Sequence, residues 1–164
     1  MVQARYIPGN EDLSECYKLR TDVFVEEQGI SMEDEFDGKD PFALHALVYV
    51  DGQPAATARM LFQSEDILRI GRICVRKEMR NRGLGDLVVR MMLARATETE
   101  CELVEISAQA QAVSFYEKLG FSEASETYLE AGIPHIKMQQ RVDKIDLTAH
   151  CSGACSKGTE KQPQ

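Results

Sequence analysis

Apolar residues along the chain follow two rhythms. The tracts ALHALVYV (43–50), PAATARMLF (54–62), ILRIGRICV (67–75) and CELVEISA (101–108) are short, β-prone and apolar or alternating, so each predicts a strand. Asp51-Gly52 tolerates positive φ between the first two, which makes them a β-hairpin. Leu84, Leu87, Val88, Met91, Met92 and Arg95 instead recur at helical spacing and predict an amphipathic helix over 83–98. VQARYI predicts an opening strand, and Asn10 is a suitable N-cap for a helix to about Glu27, with Leu13, Cys16, Tyr17 and Phe24 near one face. A loop follows that helix. QAQAVSFYEKL predicts a further helix, stopped by Gly120, and ETYL and IPHIKMQQ two last strands. The order β-α-β-β-β-α-β-α-β-β is that of a mixed α/β domain.

Composition narrows the class. The chain has 164 residues, 43% of them hydrophobic, with only 11 Gly and 5 Pro, enough for one ordinary core and unlike a disordered or fibrous chain. Periodicity fades after about Arg141, so the domain is expected over 1–141 and a disordered tail over 142–164. A formal charge of −8 argues against binding nucleic acid or an anionic membrane, because both need clustered Lys and Arg. No stretch approaches the roughly 18 to 20 apolar residues of a spanning helix, and the N-terminus lacks the apolar core of a signal peptide. A cytoplasmic location is the expectation. Cys16, Cys74, Cys101, Cys151 and Cys155 are odd in number and mostly far apart, unlike a disulfide framework. Cys151, Cys155 and His150 offer at most three ligands at a spacing no common metal site uses, so no metal is expected.

Charge is unevenly placed. Residues 26–40 carry seven acids against one base, whereas 69–95 carry eight bases against Glu78 and Asp86. Both can be solvated faces. The basic segment, however, has a telling order: the strand 67–75, then Arg80-Asn81-Arg82-Gly83-Leu84-Gly85, then a helix. A helix N-terminus offers unpaired N–H groups and partial positive charge, and glycine lets a phosphate reach the backbone. The spacing is neither a Walker loop nor a dinucleotide fingerprint, since no Gly-Lys-Ser/Thr follows and Val88 stands where a third glycine would be needed.

RNRGLG after ICV resembles the acyl-CoA signature of the GNAT superfamily of N-acyltransferases, and AVSFYEKLGF (112–121) resembles its second signature. VFVEEQGI (23–30), DPFALH (40–45), the Ala-Gln pair at 108–109 and EAGIPHIKM (130–138) look like its ElaA-like branch, so the resemblance spans roughly 2–140. It implies a central, mostly antiparallel mixed sheet flanked by helices, with a V-shaped splay between the fourth and fifth strands. It implies acetyl-CoA as co-substrate, its pantetheine paired to the backbone of Ile73, Cys74 and Val75. The pyrophosphate would rest on the turn Arg80, Asn81, Arg82, Gly83, Leu84, Gly85 and Asp86. Tyr116 becomes the acid that protonates the departing thiolate, in preference to a merely packed aromatic. Many members carry Asn where this chain has Gln109, which keeps an amide for the pantetheine arm but changes its reach.

The acceptor is expected to be a primary amine, which must lose a proton before it attacks a thioester. His45, on an apolar strand, and His135, where a turn enters the last strand, are each a candidate base or a structural histidine. Glu27, at the end of the first helix, either holds an ammonium or is a solvated helix end. Arg72 either orients an acidic acceptor group or faces solvent. Should the acidic segment overhang the pocket, a cationic small-molecule amine is favoured. Cys74 lacks a His or Asp neighbour in sequence and reads as core or pantetheine lining. The competing functions are a non-catalytic acyl-CoA-binding regulatory module and a redox or metal protein working through the tail cysteines. A homodimer is compatible with an open last strand.

Overall fold

In the computed structural model, which describes residues 1–148, the strands assemble into one mixed sheet in the order β1-β2-β3-β4-β5-β8-β6, with β7 also paired to β8. The strands are β1 Val2–Pro8, β2 Leu44–Val50, β3 Gln53–Phe62, β4 Ile67–Val75, β5 Leu103–Gln109, β6 Ser122–Glu123, β7 Tyr128–Glu130 and β8 Ile133–Arg141. β4 and β5 are the parallel pair and the other neighbours run antiparallel. The helices are α1 Ser14–Arg20, α2 Met32–Glu35, α3 Leu84–Ala96 and α4 Val113–Lys118.

Alternation along the strands builds a core on each face of the sheet. On β2, Ala46 and Val48 join the α3 side while Leu47 joins the α1 side. Six consecutive residues of β3, Ala55 to Met60, are buried because that strand is covered on both faces. α3 supplies Leu84, Val88, Val89, Met92, Leu93 and Ala96 to the first core, and α1 supplies Cys16 and Leu19 to the second. Cys74 points into that second core, where burial pushes its thiol up; it is packing, not pantetheine lining.

Several boundaries differ from the expectation. The first helix begins at Ser14 after Leu13, with Asp12 accepting its N–H, so Asn10 is no cap; from Thr21 to Glu27 it widens into a π-helix. The loop after it contains α2 and a 3-10 turn, Asp40–Phe42. The expected helix 109–119 is split into a 3-10 turn, Ala110–Ala112, and α4. The last strand is not open: β8 lies between β5 and β6/β7, so the edge expected for dimer pairing is absent there. Past Arg141 the chain still forms a 3-10 turn, Val142–Lys144, with Val142 and Ile145 against the main core. The domain therefore runs beyond the expected boundary at 141. Cys151, Cys155 and His150 lie outside the described residues.

The ladder between β4 and β5 holds from Ile67↔Leu103 to Ile70↔Ile106 and stops there. Against β3, one extra residue of β4 is accommodated between Thr57↔Cys74 and Arg59↔Gly71, and Arg72 sits there at a φ of +52°. A bulge bends its strand and re-aims a side chain. Here it turns Arg72 away from the ladder, and β4 and β5 part beyond Ile70.

Candidate active site

The parting strands leave a cleft of about 320 Å3, lined among others by Gly71, Ile73, Gln109, Tyr116, Glu130 and His135. Beyond Ile70, the β4 backbone edge toward β5 has no ladder partner. Ile73 faces the cleft, whereas Cys74 and Val75 turn their side chains into the two cores, so of this trio only backbone is offered at 74 and 75.

The turn after β4 leads into the N-terminus of α3. Asn81 and Gly83 both have positive φ, +63° and +75°, and Gly83 stands at the cap position with open space where a Cβ would point. Glycine is needed there for its backbone conformation, which a side chain would strain. The amides of the first turn, from Leu84 through Asp86, have no intrahelical acceptor, which suits an anion. Asp86 is tied to Arg90 at 2.7 Å, and Arg82 is exposed.

Arg80 and Glu27 change their expected roles. Arg80 donates to both oxygens of Glu27, at 2.6 and 2.7 Å, and to the Val75 carbonyl at 3.1 Å. Those hydrogen bonds hold the Glu27 carboxyl below its usual range. Glu27 therefore clamps the turn after β4 to the end of the first helix and is not among the cleft-lining residues, so it is no ammonium ligand.

Tyr116 is 4% exposed, edge-on to Phe115 and Phe121, and reaches the cleft wall. Tyr116 is the buried residue of α4 and lies in line with Ala112 before the helix and Leu119 after it, while Phe115 is only partly buried. Burial pushes the phenol up, so it keeps its proton at neutral pH and can donate it. Gln109 also lines the cleft, but its amide donates to Gln28 at 2.9 Å and accepts from Gln111 at 2.6 Å. Both of its ends are engaged.

The two histidines separate clearly. His45 is 1% exposed, donates Nε2–H to the Asp40 carbonyl at 3.0 Å, and is absent from the cleft wall, so it is a structural histidine rather than the base. Desolvation pushes its pKa down. His135 lines the cleft, with Nδ1–H donated to the Ile133 carbonyl at 2.7 Å and Nε2 left 3.4 Å from Glu130 Oε2.

Sequence reasoning passed over the company His135 keeps. The β7–β8 turn, Ala131 and Gly132 both at positive φ, sets Tyr128 opposite His135, and Tyr128 stacks on the imidazole. Ser107 Oγ hydrogen-bonds the Tyr128 hydroxyl and donates to Glu130 Oε2 at 3.1 Å, while Arg69 stands 3.7 Å from Glu130. The signal in the sequence is the polar residue at every second position of β5, namely Glu105, Ser107 and Gln109. On a strand with neighbours on both sides, such a row marks a polar wall.

The acidic segment is not a solvated overhang. Arg20, 1% exposed, binds Glu35 at 2.8 Å and Asp40 at 2.6 Å beneath the rings of Tyr17 and Phe36, which meet edge-on. Arg59 grips both oxygens of Asp37, at 2.8 and 2.9 Å, and Arg72 donates to the Glu35 carbonyl and to Asp37. Desolvation works to raise the Asp37 carboxyl, yet the Arg59 hydrogen bonds, the Lys39 amide and the charges of Arg59 and Arg72 together outweigh it and hold it well below the usual range. Glu35, Asp37 and Asp40 are thus neutralised by three arginines, as Glu27 is by Arg80, so four of the seven acids are paired. Arg72 does line the cleft, but its Nε and Nη2 donors are spent on this segment.

Among the described residues no His, Cys, Asp or Glu cluster could hold a metal ion, and no helix is long and apolar enough to cross a membrane.

Residues 17–142 match the acetyltransferase (GNAT) domain family. The N-acetyltransferase YjcF of Bacillus subtilis is 34% identical over 140 residues, 85% of this chain and 99% of the relative. An acyl-CoA N-acyltransferase from Pseudomonas aeruginosa superposes with a TM-score of 0.78 at 32% identity, covering 85% of this chain and 99% of that one. Escherichia coli ElaA superposes with a TM-score of 0.78 at 30% identity, again over 85% and 99%. A sheet that parts at Ile70, a glycine-capped helix beside the opening and this likeness over most of its length place the chain in the GNAT acetyltransferase family, as an enzyme of the N-acyltransferase class.

Proposed function

We propose that the protein transfers an acetyl group from acetyl-CoA to a primary amine by direct attack in a ternary complex. The observation that carries this reading is the single cleft that joins the open edge of β4, Tyr116 and His135. The amides of Ile73 and Val75 suit pairing with pantetheine, and the turn from Arg80 to Asp86 suits the pyrophosphate. Arg80 shapes that turn while its charge is balanced by Glu27.

His135 takes the first proton from the acceptor ammonium on Nε2, the nitrogen that its Nδ1–H bond to Ile133 leaves free. The amine nitrogen then bonds to the thioester carbon. As that intermediate collapses, the carbon–sulfur bond breaks, Tyr116 gives its proton to the thiolate, and the second nitrogen proton replaces it. Amide, free CoA and one proton are the net products.

Calorimetric titration with acetyl-CoA tests the reading first. Binding at one site per chain, weakened roughly tenfold or more by Gly83→Asp, is expected, because the variant adds both backbone strain and a negative charge. Tyr116→Phe is expected to lower kcat by roughly 10² to 10⁴ with acetyl-CoA affinity nearly unchanged. Equal loss of both would make Tyr116 structural, and no binding of acetyl-CoA would overturn the proposal.

A further inference from the structure

We infer that Arg69 and Glu130 form a two-point subsite for an acceptor whose primary amine is accompanied by an anionic group, Glu130 taking the ammonium and Arg69 the anion. This rests on the acyl-transfer reading of the cleft. Four cationic residues line that cleft: Lys39, Arg59, Arg69 and Arg72. Arg59 and Arg72 are spent on Asp37, Asp40 and Glu35, and Lys39 stands exposed on the 31–40 segment. Arg69 differs. Its side chain is 36% exposed and its partner Glu130 44%, at a separation of 3.7 Å, longer than a hydrogen bond. Such a loose pair is worth little to the fold and can exchange its partners for a ligand.

Glu130 presents an arrangement that invites a cationic donor. Its Oε2 lies 3.4 Å from His135 Nε2, while the Nδ1–H of that ring is committed to the Ile133 carbonyl. In the neutral ring two acceptors face each other with no proton between them. A primary ammonium supplies N–H groups to both, with the Ser107 and Tyr128 hydroxyls beside them. It also puts the proton to be removed against the nitrogen that receives it.

An ammonium bound there lies near the Arg69 guanidinium, and like charges repel in a half-buried wall. An acceptor that carries its own anion removes this conflict by meeting Arg69. It replaces one loose ion pair by two and leaves the charge of the cleft unchanged. A plain diamine would leave Arg69 facing a second cation. On the 31–40 segment Glu35, Asp37 and Asp40 already have arginine partners, which leaves the exposed Asp34 as the one other carboxylate of that segment on the cleft wall.

The test measures amine-dependent thiol release from acetyl-CoA with three matched sets: the standard amino acids, their carboxamides, and the corresponding decarboxylated amines. The best acceptor is expected among the free acids, with kcat/KM roughly tenfold or more above its carboxamide, the worth of one charge pair. Arg69→Gln should erase that gap, and Glu130→Gln should depress kcat/KM for all three sets. Both variants should bind acetyl-CoA normally, which shows that they fold. Carboxamides or decarboxylated amines that equal the free acids, or a gap that persists in Arg69→Gln, would overturn the subsite and leave acyl transfer standing. Binding of acetyl-CoA with no transfer to any amine would overturn the acyl-transfer reading itself, and the subsite with it.

Discussion

Two sets of arginines and carboxylates stand at the same cleft, one of them reaching its wall only through Glu35 and Arg59, and they do opposite things. Arg20, Glu35, Asp40 and Arg59 are each 5% exposed or less, joined at 2.6 to 3.2 Å, and capped by Tyr17 and Phe36. Arg69 and Glu130 are a third or more exposed and stand 3.7 Å apart. In the first set every charge is desolvated, so each partner is obligatory; burial even raises the Glu35 carboxyl although three arginines oppose it. In the second set solvent screens both groups and neither depends on the other. Residue type does not separate structural charge from ligand-binding charge. Burial and distance do.

Breaking the buried set should have the largest effect. Arg20→Ala leaves Glu35 and Asp40 desolvated without their main partner and should cost about 3 to 5 kcal/mol of unfolding free energy in urea. If it cost less than about 1 kcal/mol, as an exposed pair does, the contrast would collapse. Gly9→Ala should follow, at about 1 to 3 kcal/mol, since an added Cβ would meet the Asp40 and Pro41 carbonyl oxygens at 2.3 and 2.5 Å and displace the segment that presents Asp40.

His45 sharpens the comparison through pH. Its pKa is pushed down by desolvation, so below an ordinary value of about 6.5 the unfolded chain binds the extra proton first. Stability is therefore full above that value and falls as pH drops toward the lower folded pKa, by at most about 1.4 kcal/mol per pH unit for one proton. His45→Gln, whose amide can still donate to the Asp40 carbonyl, should flatten that slope between neutral and mildly acidic pH. An unchanged slope would show that another group carries it. The smallest effect belongs to Arg69→Gln, which should alter unfolding free energy by less than about 1 kcal/mol, since its pair is exposed. A larger loss would mark Arg69 as structural.

Much of the architecture was legible because strands and helices write their period into sequence. β4 has the very bounds that ILRIGRICV implied, and α3 falls within the expected 83–98. The glycine-capped turn was legible for the same local reason, since Gly83 needs its backbone freedom whatever lies around it. Errors came where local pattern and packing disagree. Phe115 and Tyr116 are adjacent aromatics, and only the 3-10 turn before α4 decides which one enters the core. His45 and His135 both sit on strands, but one meets a carbonyl in the core and the other a carboxylate in the cleft. Glu27 looked like a free helix end until the fold brought Arg80 to it from 53 residues away.

What the sequence by itself determined is the order of the main strands and helices, the inward face of the strands and the glycine-capped start of α3, all set by interactions within a few residues. Tertiary structure alone decided which charges are spent and which remain available. The bulge at Arg72 turns that side chain onto the 31–40 segment, and the β7–β8 turn carries Glu130 to Ser107, His135 and Arg69. Coulomb energy depends on separation and surroundings, and neither is written in the order of residues along the chain.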